Sequence, residues 1–424
     1  MKKVALWSLG GFLLFIYFDP AIYLPFLAQI RAALLMALLA LTAAILSGGG
    51  IPRAPQNWLL GAYVICAWIA TQLSVSPVRS AEKFPILFKA VALYFVVAMI
   101  VRSTDRLRQF AYINIVLGSI ISLVTILTTR AGISPLGGGD LYRMVNYFGG
   151  IGDDPNEFGA FMLALMPLPI MLARAEKSKV KKILLAIATL SFLMCITRTR
   201  SRGAFIGLLT MAPFLFWEAR RSIGGILIGA LLVGYTYTNT HAGYWDRVAT
   251  AFDDEAIEED FSATSRLFQQ QYAMELIEMR PFFGIGPGAF VEAKIRLLGL
   301  DPDAKLTLLA AHNAYLGLCS EIGIPGFSIL ILSLVVTLFS LRKSERLAPI
   351  RAPDSGLDQI AKALRIGLMG FCVSIFFLTE QYNPVLYMWM AVSVALQDIL
   401  RRPAAVEART PAQQLAGARA EAFS

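Results

Sequence analysis

The chain has 424 residues, 57% of them hydrophobic and only 16% charged, where soluble domains run at roughly 45–50% and about 25%. That balance excludes an ordinary soluble enzyme and fits an integral membrane protein. The net charge of +9 would suit a nucleic-acid partner, but most Lys and Arg fall in short connections between apolar runs, where membrane topology puts them. No nucleic acid is expected.

Apolar runs of roughly 17–25 residues recur, the length that crosses a ~30 Å hydrocarbon layer as helix. They do not alternate polar and apolar residues as barrel strands do, so helices are the spanning structure. In chain order the expected spans are 4–18, 30–47, 57–73, 85–101, 107–127, 156–173, 181–197, 203–217, 222–240, 313–340, 364–379 and 384–400. The expected fold is therefore all-α, a polytopic membrane protein with about 12 transmembrane helices. Asp19-Pro20 and Pro25 interrupt the first apolar stretch and leave its boundaries the loosest. Lys2 and Lys3 precede an apolar run with no Ala-x-Ala-like cleavage site, which reads as a retained first helix. No internal repeat is evident. Cys66, Cys195, Cys319 and Cys372 lie in apolar runs without metal-ligand spacing and read as small buried hydrophobes.

The connections alternate in charge. One set holds Lys2 and Lys3; Arg53; Arg102, Arg106 and Arg108; Arg174, Lys177, Lys179, Lys181 and Lys182; Arg220 and Arg221; Arg342, Lys343, Arg346 and Arg351; Arg401 and Arg402. The positive-inside rule makes that set cytoplasmic, with both termini. The other set, 74–84, 128–155, 198–202, 241–312 and 380–383, is then extracytoplasmic. The chain thus divides into helices over 1–240, a large extracytoplasmic loop with short helices over 241–312, further helices over 313–402, and a cytoplasmic, disordered tail over 403–424 rich in Ala, Glu and Arg. Within the loop, the acidic run Asp253 to Asp260 reads as a solvated turn. Ser265 to Met279 reads as a helix ended by Pro281, and Gly284-Ile285-Gly286-Pro287-Gly288 as a tight turn. The three glycines resemble a nucleotide loop only superficially, because no strand–turn–helix unit surrounds them.

Three arginines, Arg198, Arg200 and Arg202, stand in a very short hairpin between two spans. Charge at bilayer depth is costly, so such a cluster is a functional-site hypothesis by default. Arginine offers a planar fork of donors suited to phosphate, so a phosphate-bearing ligand at the outer face would account for it. The alternative is that the side chains snorkel to lipid headgroups. Gly203 would let the following helix start close to another backbone. Ala311-His312-Asn313-Ala314-Tyr315-Leu316 opens the tenth span from a loop that also holds Arg266 and Arg280. The reading of His312 as a structural helix-end residue stands beside its reading as a general base toward a hydroxyl. Glu321, about half a helical revolution away, is not expected to pair with it. Asp154-Pro155-Asn156-Glu157 has the form of a helix cap. The alternative is a polar acceptor or metal site made by Asp153, Asp154 and Glu157.

The segments Thr199-Arg200-Ser201-Arg202-Gly203-Ala204, Ser265-Arg266, Arg280 to Phe290, His312-Asn313-Ala314-Tyr315-Leu316 and Glu321-Ile322-Gly323-Ile324-Pro325-Gly326 occur in that order. Together with Asp154-Pro155-Asn156-Glu157, this series resembles the bacterial O-antigen ligase and O-antigen polymerase superfamily. The resemblance covers most of the membrane region. It implies a GT-C-like fold in the bacterial inner membrane and a metal-independent, cofactor-free glycosyltransferase. Its donor would be a glycan on undecaprenyl pyrophosphate, and its acceptor a hydroxyl on a glycan or on lipid A-core, used with inversion. Carried over residue by residue, it makes Arg202, Arg266 and His312 the catalytic candidates. Arg198, Arg200, Arg280, Asn156, Asn313 and Tyr315 are the candidates for substrate binding. Ligase and polymerase share these motifs and stay open as alternatives. The contrasting class is a secondary transporter, or a polysaccharide-export protein without catalysis. Against a transporter stand the lack of repeated halves and the position of the long loop.

Overall fold

A computed structural model describes residues 2–130, 144–152, 154–219, 261–304, 306–379 and 381–402 of the chain. The expected ninth span at 222–240, the acidic run, His241, Asp153 and the 403–424 tail lie outside the described residues. All regular structure among the described residues is helical.

The first part runs α1 (Lys2–Phe18), α2 (Pro25–Gln29), α3 (Ala32–Leu46), α4 (Pro55–Gln72), α5 (Pro77–Ile100) and α6 (Thr104–Arg130). There follow α7 (Pro155–Leu165), α8 (Pro167–Ala175), α9 (Lys179–Arg198) and α10 (Arg202–Ala219). The last part holds α11 (Phe261–Met279), α12 (Phe290–Leu298), α13 (Ala314–Arg351), α14 (Leu357–Ser374) with a 3-10 turn at Ile375–Phe377, and α15 (Pro384–Arg401).

Six helical stretches among the described residues are long and apolar enough to cross a membrane: Pro77–Ile100, Thr104–Thr128, Pro155–Ala175, Lys179–Arg198, Ala314–Arg351 and Leu357–Phe377. The other expected spans within the described residues also fall on helices, which are shorter or more polar. α1 and α3 have 17 and 15 residues. α4 opens on Gln56 and Asn57, and α15 ends through Gln397, Asp398 and Arg401. Some boundaries differ from expectation for local reasons. α5 begins at Pro77, inside the stretch expected as a loop, because proline at the first helical position lacks only an N–H that would go unpaired anyway. The expected span 156–173 is interrupted at Met166, since Pro167 cannot donate to the preceding turn.

Small residues bring α7, α10 and α14 together. A Cβ added at Gly207 would stand 2.7 Å from the Gly370 carbonyl oxygen, and one at Gly367 would stand 2.5 Å from that of Ala164. Backbone-to-backbone approach of this kind suits helices in lipid, where dispersion and close packing replace the hydrophobic drive. Phe158, Phe161, Leu163, Leu368 and Phe371 fill the space around these contacts and are buried.

The connecting segments gather into the two groups that charge alternation separates. In one group Arg402 Nη1 donates to Arg102 O at 3.1 Å and Arg401 Nη1 to Arg53 O at 3.0 Å. Arg102 also pairs with Asp398 at 3.2 Å. Arg174 and Lys362 flank Glu218. In the other group Met144 N donates to Arg198 O at 3.1 Å, Ile151 N to Ile16 O at 3.1 Å and Val75 N to Ile285 O at 2.9 Å. The arginine hairpin, the glycine-rich turn and the His312 segment all belong to this second group.

Candidate active site

The arginine hairpin is a tight link between α9 and α10. Thr199 and Ser201 are buried while Arg198, Arg200 and Arg202 are half-buried. Thr199 Oγ1 donates to Ile196 O at 2.7 Å, and Ser201 Oγ accepts from Ala204 N at 3.3 Å. The small polar residues thus satisfy the helix ends and are themselves the buried part of the hairpin. Arg200 adopts the left-handed region at φ 52°. A Cβ at Gly159 of α7 would stand 2.9 Å from both Thr199 Oγ1 and Ala204 Cβ. At Gly203 it would stand 3.0 Å from Ser374 O at the end of α14. The hairpin is therefore wedged between the start of α7 and the end of α14, as expected of a glycine after the cluster.

The start of α7 is the expected cap. Asp154 Oδ1 accepts from Asn156 N at 2.7 Å, with Pro155 at the first helical position. Asn156 stands half-buried in that first turn.

His312 sits just before α13, half-buried, with φ 49°. Its backbone N–H donates to Thr379 Oγ1 at 3.2 Å, which ties it to the segment beyond α14. Burial lowers its imidazole below the ordinary histidine range. Arg266 on α11 lowers it further, the Asp154 carboxylate opposes the shift, and Lys294 on α12 adds to it. The imidazole is thus held neutral by cations and burial, the state in which it can accept a proton. His312 and Arg200 are two of the five non-glycine residues with positive φ among the described residues. Such conformations cluster at functional sites.

Asn313 caps α13. Its Oδ1 accepts from Tyr315 N at 3.0 Å and Leu316 N at 3.2 Å, while its buried Nδ2 has no hydrogen-bond partner. Because Oδ1 takes two backbone donors, the amide orientation is fixed and Nδ2 is left to face elsewhere. Tyr315 OH donates to Cys372 O at 2.7 Å, a helix-to-helix tie between α13 and α14. Arg280 lies elsewhere: its Nη1 donates to Leu73 O at 3.0 Å and closes the end of α4.

The glycine-rich turn is docked on α13 where that helix breaks at Gly323 (φ 79°, ψ 170°). Pro325 has no N–H for the Glu321 carbonyl, and Gly286 N supplies one at 2.9 Å. Ile324 N donates to Pro281 O at 2.7 Å in place of Ser320 O, which instead accepts from Ile285 N at 2.9 Å. The turn and the kink satisfy each other's backbone groups. Glu321, not expected to meet His312, is buried and accepts from Tyr382 OH, from Gln381 Nε2 at 3.4 Å and from Gly288 N.

Lys294 is a functional candidate that the sequence reading passed over. It is fully buried on α12, with Nζ 2.5 Å from Gln269 Oε1, 2.8 Å from Leu309 O and 3.3 Å from Leu306 O. Phe290, Ala293 and Leu297 mark the inward face of α12 at helical spacing, and Lys294 falls within that stripe. A lysine inside an apolar stripe was the available signal. Among the described residues no group of three or more His, Cys, Asp or Glu is placed to hold a metal ion. The alternative metal set includes Asp153, which lies outside the described residues.

Residues 185–331 match the family model for O-antigen ligase. The matched stretch includes the arginine hairpin, Arg266, Lys294, Arg280, His312, Asn313, Tyr315 and the kink of α13, and leaves out the α7 cap. No curated protein matches the chain. The family points to a glycosyltransferase-like ligase or polymerase, which implies a lipid-linked glycan donor and a glycan acceptor in the membrane. The match falls on the elements that build this end of the bundle, and over that stretch the chain is similar to the O-antigen ligases.

Proposed function

We propose that this chain is an inverting, metal-independent glycosyltransferase of the bacterial inner membrane. It moves a glycan from undecaprenyl pyrophosphate to a hydroxyl on another glycan or on lipid A-core. In this reading about 12 helices in a GT-C-like arrangement cross the membrane, both termini are cytoplasmic, and the end bearing His312 faces the extracytoplasmic side. The observation that carries it is the meeting of the His312 segment, tied to Thr379, and the arginine hairpin, packed on Ser374 and Phe377, at one end of the bundle, where burial and Arg266 lower the imidazole below the ordinary histidine range.

In the reaction the acceptor oxygen attacks the anomeric carbon as the bond from that carbon to the pyrophosphate oxygen breaks. The acceptor proton passes to His312, and the electron pair leaves with the pyrophosphate. Arg202 and Arg266 stabilise the charge developing on that leaving group. Arg198 and Arg200 attract the donor to the surface. Asn313 Nδ2, a buried donor with its orientation fixed, is the substrate contact best supported by its surroundings. Tyr315, on the first turn of α13, and Asn156, on the first turn of α7, stand as further contacts. Arg280 holds the loop in place through Leu73.

The test is in-cell glycan transfer by Arg202→Ala, Arg266→Ala and His312→Ala variants, each shown to be inserted at normal amounts. Strong loss in all three is expected. Near-normal transfer in all three overturns the proposal. The length of glycan left on the carrier lipid in a deletion strain separates the two acceptors: long polymer accumulates without a ligase and is missing without a polymerase.

A further inference from the structure

We propose that Lys294, together with Gln269, is the positioning clamp that sets His312 against Arg266. This rests on the proposed role of His312. α11 carries Arg266 and, one turn on, Gln269; a separate segment, 306–312, leads into His312. Lys294 bridges the two, because its ammonium donates to Gln269 Oε1 at 2.5 Å and to Leu309 O at 2.8 Å, with Leu306 O at 3.3 Å. Gln269 Nε2 donates to the same Leu306 O at 2.8 Å, which closes the bridge from its other side. The rings of Phe290 and Tyr272 cover the charge at 4.9 and 5.8 Å.

A buried ammonium without a carboxylate partner is costly. Three oxygens and two ring faces offset that cost, and the oxygens all come from the elements to be aligned. A methionine in the same place would hold α12 by packing alone and take from Leu309 O and Gln269 Oε1 the donor they share. The lysine therefore adds direction as well as burial. Its charge is also sensed at the imidazole, where Arg266 and Lys294 act against Asp154. Among the described residues these three are the charged groups that act on His312, from α11, α12 and the cap of α7.

The experiment measures glycan transfer as a function of pH for wild type, Lys294→Met, Gln269→Met and the double variant, each normalised to inserted protein, with His312→Ala alongside. Transfer in Lys294→Met should fall between roughly ten- and a hundredfold, as a misplaced base entails. Its acid limb should move to higher pH, because the loss of a nearby cation lets His312 take up a proton more readily. Gln269→Met should lose activity with little movement of that limb, and the double variant should lose no more than Lys294→Met. A purely structural lysine would lower the amount of protein and leave the limb where it is. An unmoved limb, or additive losses, overturns the clamp while leaving His312 in place. If Lys294→Met does not accumulate, Gln269→Met decides alone: wild-type transfer in that variant overturns the clamp. Near-normal transfer by His312→Ala instead removes His312 as the base, the role on which the clamp rests.

Discussion

The backbone N–H of Gly286 donates to the carbonyl oxygen of Glu321 across 2.9 Å, in the place of the N–H that Pro325 lacks. A loop at the end of the bundle that bears the arginine hairpin thereby completes a broken apolar helix. Both partners of the exchange depend on glycine. Gly286 has φ 101°, and a Cβ there would fall 2.1 Å from Ser74 Oγ; Gly323 has φ 79°, and its Cβ would fall 2.4 Å from Phe282 O. Gly286→Ala and Gly323→Ala should each cost about 1–3 kcal/mol in backbone strain, with more from the contacts. The thermal midpoint of the purified protein checks this, as does faster proteolysis within 261–312. A midpoint unchanged in both variants would show that the loop is not held by the kink.

Asp154 offers a separate handle on His312. Its carboxylate raises the imidazole against burial and the cations. Asn caps a helix as well as Asp does, so Asp154→Asn keeps α7 and removes the charge. His312 titrates below the ordinary histidine range, and transfer should fall as pH drops through that depressed value. In Asp154→Asn the fall should come at still lower pH. The stability linkage has the same sign: between the ordinary and the depressed value the unfolded chain binds more protons, so stability is lost as pH falls through that window. A pH–rate profile identical to wild type would remove Asp154 from the surroundings of the base.

Much of this was readable from local rules. Asp154-Pro155 announces a helix cap by residue type alone, Pro281 ends the helix that Ser265 to Met279 predicts, and the charge alternation sorts the connections into the two groups that touch in the structure. The unread part is long-range. Glu321 gives no hint of Gly288, Gln381 and Tyr382, because its partners lie on either side of it in sequence, in separate loops. Lys294 sits in the short helix Phe290–Leu298, where a lysine is ordinarily solvated. Only its place in the Phe290, Ala293, Leu297 stripe marks it, and its partner Gln269 belongs to another helix. Arg280, grouped with the substrate arginines through the family resemblance, turns to the Leu73 carbonyl because the end of α4 leaves that oxygen unpaired.

Glu321 should be intolerant of even an isosteric change. Its carboxylate accepts from Tyr382 OH, Gln381 Nε2 and Gly288 N, so it serves three donors and offers none. Glu321→Gln replaces one acceptor oxygen with an NH2 group that faces a donor. The loss should be about 1–3 kcal/mol, read as a lower thermal midpoint, with Glu321→Ala lower still. Equal midpoints for Gln and Glu would mean that the three donors have other acceptors within reach.

The arginine hairpin separates geometry from charge. If a planar fork on the leaving pyrophosphate matters, Arg202→Lys keeps the charge and loses the bidentate donors. It should then recover little of the transfer lost in Arg202→Ala. Arg198→Ala, at the end of α9, should retain most activity but raise the donor concentration needed for half-maximal rate, more so at low salt, where attraction at a distance is strongest. Full activity of Arg202→Lys would point to charge alone and return the cluster to an anchoring role.

The close packing beneath the hairpin decides whether those arginines hold their place. Gly159 of α7 leaves 2.9 Å between a would-be Cβ and both Thr199 Oγ1 and Ala204 Cβ. Gly159→Val would push α7 off the hairpin, at about 1–3 kcal/mol for overpacking, and shift the α7 cap away from His312. Transfer should fall further than stability alone predicts, because Asp154 and the hairpin move apart together. The partial compensating change Ala204→Gly opens space on the α10 side and should recover part of the activity. Failure of the pair to do better than Gly159→Val alone would mean that the α7–α10 contact does not set the hairpin's position.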